Sequence, residues 1–156
     1  DAYSNYSKTC GTIIAQYPNP STATPFSEEI SILSPKFVEI YHQSEIAEST
    51  NLTEICGIGY RKALEFLVKD FAIHEHPEDK GIIEKKLLSQ CIKNYIDDDR
   101  IKTLAERSAW IGNDEAHYVR KQEDRDVSDL KNFIKAIVYF IGMILVTEDA
   151  ASITSK

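Results

Sequence analysis

The placement of proline constrains the fold of this chain more than any other feature of its sequence. All five prolines of the 156 residues lie at or before Pro77, and the whole chain contains only six glycines. Proline interrupts the interior of a helix and glycine weakens it, whereas a turn-rich β-sandwich needs such residues throughout. The long proline-free stretch therefore predicts a helical protein. Its length and its apolar fraction of 42% are those of one domain with a hydrophobic core.

Charge and cysteine content exclude several classes of protein. The chain has 18 basic and 25 acidic residues, and its net charge of −7 disfavours an unselective nucleic-acid binder. Cys10, Cys56 and Cys91 are odd in number and widely spaced, which disfavours a disulfide framework and favours a reducing compartment, the cytoplasm. They lack the paired spacing of a complete zinc site, so we expect no metal and no cofactor. Cys10 and Gly11 leave open the tail of a zinc knuckle, and the start without methionine or signal peptide indicates a fragment or a processed product.

Two segments of different composition predict an N-terminal arm over residues 1–33 and a helical bundle domain over residues 34–150. The arm is rich in proline, serine and threonine, with one candidate short strand over residues 12–17 and a connector over residues 27–33. Ser34 followed by Pro35 is typical of a helix start. Apolar residues at helical spacing then predict four to five helices, at about 35–49, 53–73, 81–96, 100–111 and from Asp126 or Ser128 onward.

The last predicted helix is apolar nearly all round over residues 136–146. That run is shorter than the roughly 20 residues that span a bilayer, so we expect no membrane insertion. The helix is either the central helix of the bundle or half of a dimer interface. If it is an interface, we expect a homodimer through Tyr139, Phe140 and Met143.

The second predicted helix carries two features besides its apolar stripe. Gly57 and Gly59 would weaken an isolated helix, so we expect a neighbouring element to approach closely there. At 100° per residue, Arg61 lies about 60° from Leu64, inside the edge of the buried stripe, where a guanidinium needs a partner. Glu65, one turn further on, is the nearest candidate. The two side chains are either a structural ion pair that fixes helix register or a ligand-binding pair for an anion.

The polar loop predicted over residues 112–125 contains the remaining candidates. Gly112 is suited to end the preceding helix in a left-handed conformation. Asn113 and Asp114 can hold backbone donors, and Asp114 is also a candidate ligand-binding residue. His117 is the one histidine within a polar cluster, and it either acts as a general acid or base or ties the loop to the bundle. Arg107, which the spacing places at the edge of the inner face of the preceding helix, is a further catalytic candidate because it could reach this loop.

Three short motifs in a fixed order cover most of the chain, from about residue 34 to residue 146. Their residues are Ser34, Pro35, Tyr41 and Ala47, then Arg61, Ala63, Leu64 and Glu65, then Ile111, Gly112, Asn113, Ala116 and His117. In this order and spacing they resemble a bacterial family known as domain of unknown function 4145, which is similar to the HEPN superfamily. The resemblance implies an HEPN-like helical bundle that commonly dimerises and belongs to toxin, restriction or antiviral systems.

The resemblance also implies a metal-independent ribonuclease, whose motif this sequence matches in part. That motif is an arginine, a polar residue, three variable residues and a histidine. Asn113 and His117 match it, whereas Gly112 occupies the arginine position. Without that arginine the phosphate transition state lacks its charge partner. Asp114 and Glu115 would also repel a phosphate backbone.

The sequence therefore favours a non-catalytic, dimerising helical module that binds a protein partner or a small ligand in a bacterial or phage defence system. The alternative is a metal-independent ribonuclease in which His117 and Asn113 act with a relocated arginine, Arg61 or Arg107. A third hypothesis is an accessory domain of a larger restriction or helicase protein.

Overall fold

The computed structural model describes residues 11–12 and 23–155, and within them the chain is all-α and contains no strand. The described residues form seven α-helices: α1 (Glu28–Leu33), α2 (Pro35–Ser49), α3 (Thr53–Glu75), α4 (Lys80–Ile83), α5 (Leu88–Tyr95), α6 (Asp99–Asp114) and α7 (Val127–Ser152). A 3₁₀ turn, Pro77–Asp79, precedes α4. The prediction of an all-α bundle is confirmed for these residues. The strand predicted over residues 12–17 lies, apart from Thr12, outside them.

Part of the predicted connector is a helix, α1. Ser27 begins it, because its side-chain oxygen accepts a hydrogen bond from the backbone N–H of Ile30 at 3.5 Å. Ile30 is only 1% exposed, and α1 packs against α2, α3 and α7. A helix of six residues is too short to show a periodic pattern in the sequence, which is why the prediction missed it.

The helix predicted over residues 81–96 is two helices, α4 and α5. On one continuous helix Ile83 and Leu88 would lie about 140° apart, so both could not face the core. At Leu87 the backbone is extended, with φ −64° and ψ 145°. This break turns both side chains inward, since Ile83 is 0% and Leu88 is 3% exposed.

The predicted start of α2 is confirmed at Pro35, but the side chain of Ser34 does not cap the helix. Its hydroxyl instead donates a hydrogen bond to Asp70 Oδ2 on α3, at 2.5 Å. Burial raises the pKa of the Asp70 carboxyl, and the hydrogen bond from Ser34 opposes that rise. Ser34 therefore joins the beginning of α2 to the C-terminal third of α3.

The central helix of the bundle is α3, which packs against every other helix. The apolar stripe predicted for it is confirmed, since five of its residues are each at most 3% exposed: Tyr60, Leu64, Leu67, Val68 and Phe71. Its polar neighbours also fix it in place. The Tyr60 hydroxyl donates to Glu48 Oε2 at 2.6 Å, and the Lys131 ammonium donates to the same oxygen at 2.7 Å. These two bonds join α2, α3 and α7.

The two glycines of α3 do permit close approaches, as predicted. A Cβ at Gly57 would lie 2.6 Å from the Glu115 side chain, which comes from the loop after α6. A Cβ at Gly59 would overlap the hydroxyl of Ser44 on α2. An alanine at either position would require the side chain of Glu115 or of Ser44 to move.

The last helix, α7, packs against one side of the bundle, so it is not the central helix. Its inner face is fully buried, since four residues are 0% exposed: Leu130, Ile134, Ile137 and Ile141. By length and composition α7 could cross a membrane, with a mean hydropathy of 1.6 over an 18-residue window of which 22% is buried. Its apolar stretch is thus longer than the run of residues 136–146 on which the expectation of no membrane insertion was based. Core helices of water-soluble proteins share this length and composition, but they are mostly buried, whereas most of this window is not.

Candidate functional site

The candidate site lies where the middle of α3 meets the C-terminal end of α6. The two helices approach closely because Gly112 has no side chain: a Cβ there would lie 2.6 Å from Arg61 Cδ. Gly112 is buried within α6, which continues to Asp114, and none of the described glycines has a positive φ. The expectation that Gly112 ends α6 in a left-handed conformation is therefore wrong. Its role is to make room for the aliphatic part of the Arg61 side chain, which crosses α6 at this point.

The guanidinium of Arg61 has two protein partners. Its NH1 group donates to Glu65 Oε2 at 3.2 Å, which is the ion pair expected from the sequence. Its Nε donates to Asn113 Oδ1 at 3.1 Å. Lys69 also pairs with Glu65, at 2.8 Å. Burial alone would raise the pKa of Glu65, but the hydrogen bonds and positive charges of Lys69 and Arg61 outweigh burial and lower it.

Two adjoining cavities open beside this crossing, and Trp110 and Asn113 line both. The first, which we name the Arg61 cavity, has a volume of about 490 Å³ and is also lined by Arg61, Glu65 and Lys86. The second, the His117 cavity, has a volume of about 400 Å³. Its lining residues are Trp110, Asn113, Asp114, His117, Lys121 and Gln122.

The fold therefore brings Arg61, Glu65 and Asn113 to one cavity and Asn113, Asp114 and His117 to the other. Asn113 is the link between them, because its amide oxygen accepts from Arg61 while the residue lines the His117 cavity. No arginine is among the described residues that line the His117 cavity.

Asp114 is the residue that ties the loop to the bundle. It is only 5% exposed, and its Oδ2 accepts hydrogen bonds from the backbone N–H groups of Lys121 at 2.9 Å and Gln122 at 2.6 Å. His117 is exposed, and within the described residues its ring makes no hydrogen bond. The tying role that the sequence offered as one alternative for His117 thus belongs to Asp114.

Arg107 lies on the outer side of α6, not at the edge of its inner face. The buried side of α6 is marked by Ile101, Ala105, Ser108 and Gly112, and Arg107 is about 130° from the centre of that line. The sequence prediction took Leu104 as the centre of the inner face, which displaced the whole face by about one-fifth of a turn. The Arg107 guanidinium lies over the ring of Trp110, 4.0 Å from its centroid, and NH1 is 3.6 Å from Glu106.

The contacts of two residues of this region were not predicted from the sequence, although the charge of Glu115 was considered there. Trp110 is 49% exposed and forms the wall shared by both cavities. Glu115 is held against Gly57 and pairs with Arg120 at 2.5 Å. Burial raises the pKa of Glu115, and the charge of Arg120 opposes that rise. The close approach predicted at Gly57 was a signal that some side chain lies there, but it could not identify Glu115.

Comparison with models of known families, with characterised proteins and with solved structures finds no match to this chain. The resemblance to domain of unknown function 4145 and to the HEPN superfamily stays a prediction from the sequence.

Proposed function

We propose that the protein is a non-catalytic helical module that forms a homodimer through the outer face of α7. The observation that carries this proposal is a stripe of apolar residues that residues 23–155 of the monomer leave largely uncovered. We name it the outer stripe, and its residues are the half-buried Ala136 and the exposed Tyr139, Met143, Val146, Ala150 and Ile153.

The outer stripe has the spacing of a helix-pairing seam. Its six residues follow one another at alternating steps of three and four, the pattern by which two α-helices pack along their length. Tyr139 is 66%, Met143 55% and Val146 52% exposed, and Ile153, directly after the helix, is 77% exposed. From Ala136 to Ile153 the stripe is about 26 Å long at 1.5 Å per residue. A stripe of this kind is suited to another helix rather than to a small ligand.

A second copy of α7 is a partner that the charge pattern of the stripe permits. The stripe itself carries no charge, so two copies can meet along it without local repulsion, although each copy has a net charge of −7. Lys135 and Asp149 flank the stripe on the same side. In an antiparallel pair with Tyr139 against Met143, Lys135 of one copy lies beside Asp149 of the other. Such an interface is symmetric and closed, as in most homodimers.

Of the three residues expected from the sequence to form the interface, Tyr139 and Met143 belong to the outer stripe and Phe140 lies beside it. Phe140 is half-buried, and the Arg100 guanidinium lies 4.6 Å from the centroid of its ring. Substituting Phe140 would therefore disturb the monomer as well as an interface, which makes Met143 the better position for a test.

The experiment is sedimentation velocity of the wild type and of Met143→Glu. We expect a wild-type dimer, and we expect the variant to associate at least about tenfold more weakly because each copy would bury an unpaired carboxylate against Tyr139 of the other copy. Ile32→Glu is the matched control, because Ile32 is an equally apolar residue, 74% exposed, on α1. A wild-type monomer, or equal weakening by both substitutions, would contradict the proposal.

In this proposal the dimer presents its two cavities to a protein partner or a small ligand. The setting, a bacterial or phage defence system in the cytoplasm, rests on the sequence resemblance alone. The proposal assigns no catalytic step to the cavities, because the Arg61 guanidinium is already engaged by Glu65 and Asn113.

One observation favours the alternative, a metal-independent ribonuclease. Arg61, one of the two arginines that this alternative could use, passes over Gly112 and donates to Asn113, the residue shared with the His117 cavity, although Arg61 itself does not line that cavity. If the protein is this enzyme, it will cleave structured RNA in EDTA, and His117→Ala and Arg61→Ala will each abolish cleavage. Arg125→Ala, on an ion pair elsewhere on the surface, is the control. Absence of cleavage, or cleavage that survives His117→Ala, would refute it.

A further inference from the structure

The C-terminal end of α3 and the last turns of α7 bring together three side chains of the types that bind metal ions. They are His74 and Glu75 from α3 and Glu148 from α7, and one potential ligand atom from each lies within 4.8 Å of the others. The tightest contact joins His74 Nε2 to Glu148 Oε2, at 2.7 Å. In sequence these two residues are 74 positions apart, so the cluster exists only in the fold.

His74 and His76 lie two positions apart in the sequence, but two imidazoles alone do not complete a metal site. The fold supplies further ligands from α7 and the end of α3, and it turns His76 elsewhere. The His76 ring contacts the ring of Tyr95, with centroids 5.5 Å apart, and its Nδ1 is 3.9 Å from Glu78. The candidate ligands are therefore one imidazole and two carboxylates.

The chemistry of this set fits a divalent first-row transition metal. Zinc accepts imidazole nitrogen at about 2.0–2.1 Å and carboxylate oxygen at about 2.0–2.2 Å, and three protein ligands with one water complete a tetrahedron. All three side chains are exposed, so small rotations can bring the ligand atoms to those distances without moving a helix. Calcium and magnesium favour sites made of oxygen ligands, which makes them poorer matches to a site with an imidazole.

The electrostatics of the cluster also favour a cation. His74 and Glu75 lie in the last turn of α3, where the helix dipole places partial negative charge on carbonyl groups. The carboxylates of Glu75 and Glu148 add to that charge, and within the cluster the imidazole of His74 is the sole group that can oppose it. A bound divalent ion would relieve this repulsion and link the two helices.

We propose that His74, Glu75 and Glu148 bind one divalent transition-metal ion, with zinc as its first representative. The site does not depend on the outer stripe of α7, because Glu148 points toward α3 and is not a member of that stripe. It would join the end of the central helix to the end of α7.

The experiment is calorimetric titration of zinc chloride into full-length protein first freed of metal with EDTA, with Cys10→Ser in every variant so that this thiol cannot contribute. We expect one zinc per chain and a rise in the melting temperature when zinc is added. Loss of a residue that merely supports a metal ligand costs about 10–100-fold in affinity, so His74→Ala and Glu148→Gln should each cost at least about tenfold. Each should also abolish the rise in melting temperature.

Glu39→Gln is the matched control, because Glu39 is likewise an exposed helical carboxylate paired with a base, Lys36, at 2.8 Å. It should bind zinc as the wild type does. Three outcomes would overturn the proposal: no zinc binding, equal affinity in all four proteins, or a Glu148→Gln effect on melting that is the same with and without zinc. The last would mean that Glu148 and His74 form an ion pair and nothing more.

Discussion

Side-chain burial follows different patterns in two regions of the molecule. One region is α7, and the other is the end of α6 with the loop that follows it. Along α7 burial follows the helical period, so Ile137 and Ile141 are 0% exposed while Tyr139 and Met143 are more than half exposed. At the end of α6 no period applies. Asp114 is buried while Asn113 and His117, within three residues of it, are exposed. In α7 the burial of an apolar residue follows from its position around the helix. At the end of α6 the burial of a polar residue depends on its contacts with the loop that follows.

The largest expected effect tests this difference within α7. Ile137→Ala should lower the free energy of unfolding by about 2–5 kcal/mol, because it removes buried methyl groups and leaves a cavity. Met143→Ala removes a similar number of atoms from the outer stripe, where the side chain is 55% exposed. In protein dilute enough to be monomeric, it should change the free energy of unfolding by no more than about 0.5 kcal/mol. Urea denaturation measures both, and similar costs at the two positions would mean that the inner and outer faces are wrongly assigned.

The next effect tests the end of α6. Asp114→Ala removes the acceptor of the two backbone hydrogen bonds from Lys121 and Gln122 and leaves those donors unpaired, at a cost of about 1–3 kcal/mol. His117→Ala, in the same loop, should change the free energy of unfolding by no more than about 0.5 kcal/mol, since the ring is exposed. Thermal and urea melts of the two variants give the comparison. A larger loss from His117→Ala than from Asp114→Ala would restore the tying role to the histidine.

The same contrast explains how much of the molecule could be predicted from its sequence. The helices α2, α3, α6 and α7 were predicted because each buries apolar residues at helical spacing, as Leu64 and Leu67 do in α3. The division into α4 and α5 was missed because the break carries neither proline nor glycine, and only the positions of the surrounding helices require it. Of the candidate site, the pair of Arg61 with Glu65 was predictable because both lie on one helix, one turn apart.

Contacts between distant parts of the chain could not be predicted in the same way. The bond from Arg61 to Asn113 spans 52 positions, and no local spacing indicates it. Gly112 was assigned to a helix end because glycine there commonly takes a left-handed conformation, yet glycine also serves where a second helix must approach. The sequence alone does not distinguish these two uses of glycine, because they differ in whether a second helix packs against it.

The smallest expected effect concerns the other end of α6, where a second aspartate accepts backbone hydrogen bonds in a more exposed setting. Asp98 Oδ1 accepts from the N–H of Arg100 at 2.9 Å and of Ile101 at 3.3 Å, and its side chain is 21% exposed. The Arg100 side chain, together with these N–H groups, lowers the pKa of Asp98 from 3.8 to about 2 against the effect of burial. We expect Asp98→Ala to cost about 1 kcal/mol at neutral pH, the usual value of a helix cap.

The lowered pKa fixes the pH dependence of that cost. Because the folded state holds the proton more weakly than the unfolded chain, the stabilisation by Asp98 is complete above about pH 4 and is lost as the pH falls toward 2. The difference in unfolding free energy between wild type and Asp98→Ala should therefore shrink between pH 6 and pH 2.5, whereas Asp98→Asn, which keeps a neutral acceptor, should show a smaller change relative to Asp98→Ala. Urea melts of the three proteins at both pH values test this. A cost of Asp98→Ala that stays constant with pH would mean that the carboxylate charge of Asp98 contributes nothing to the helix cap.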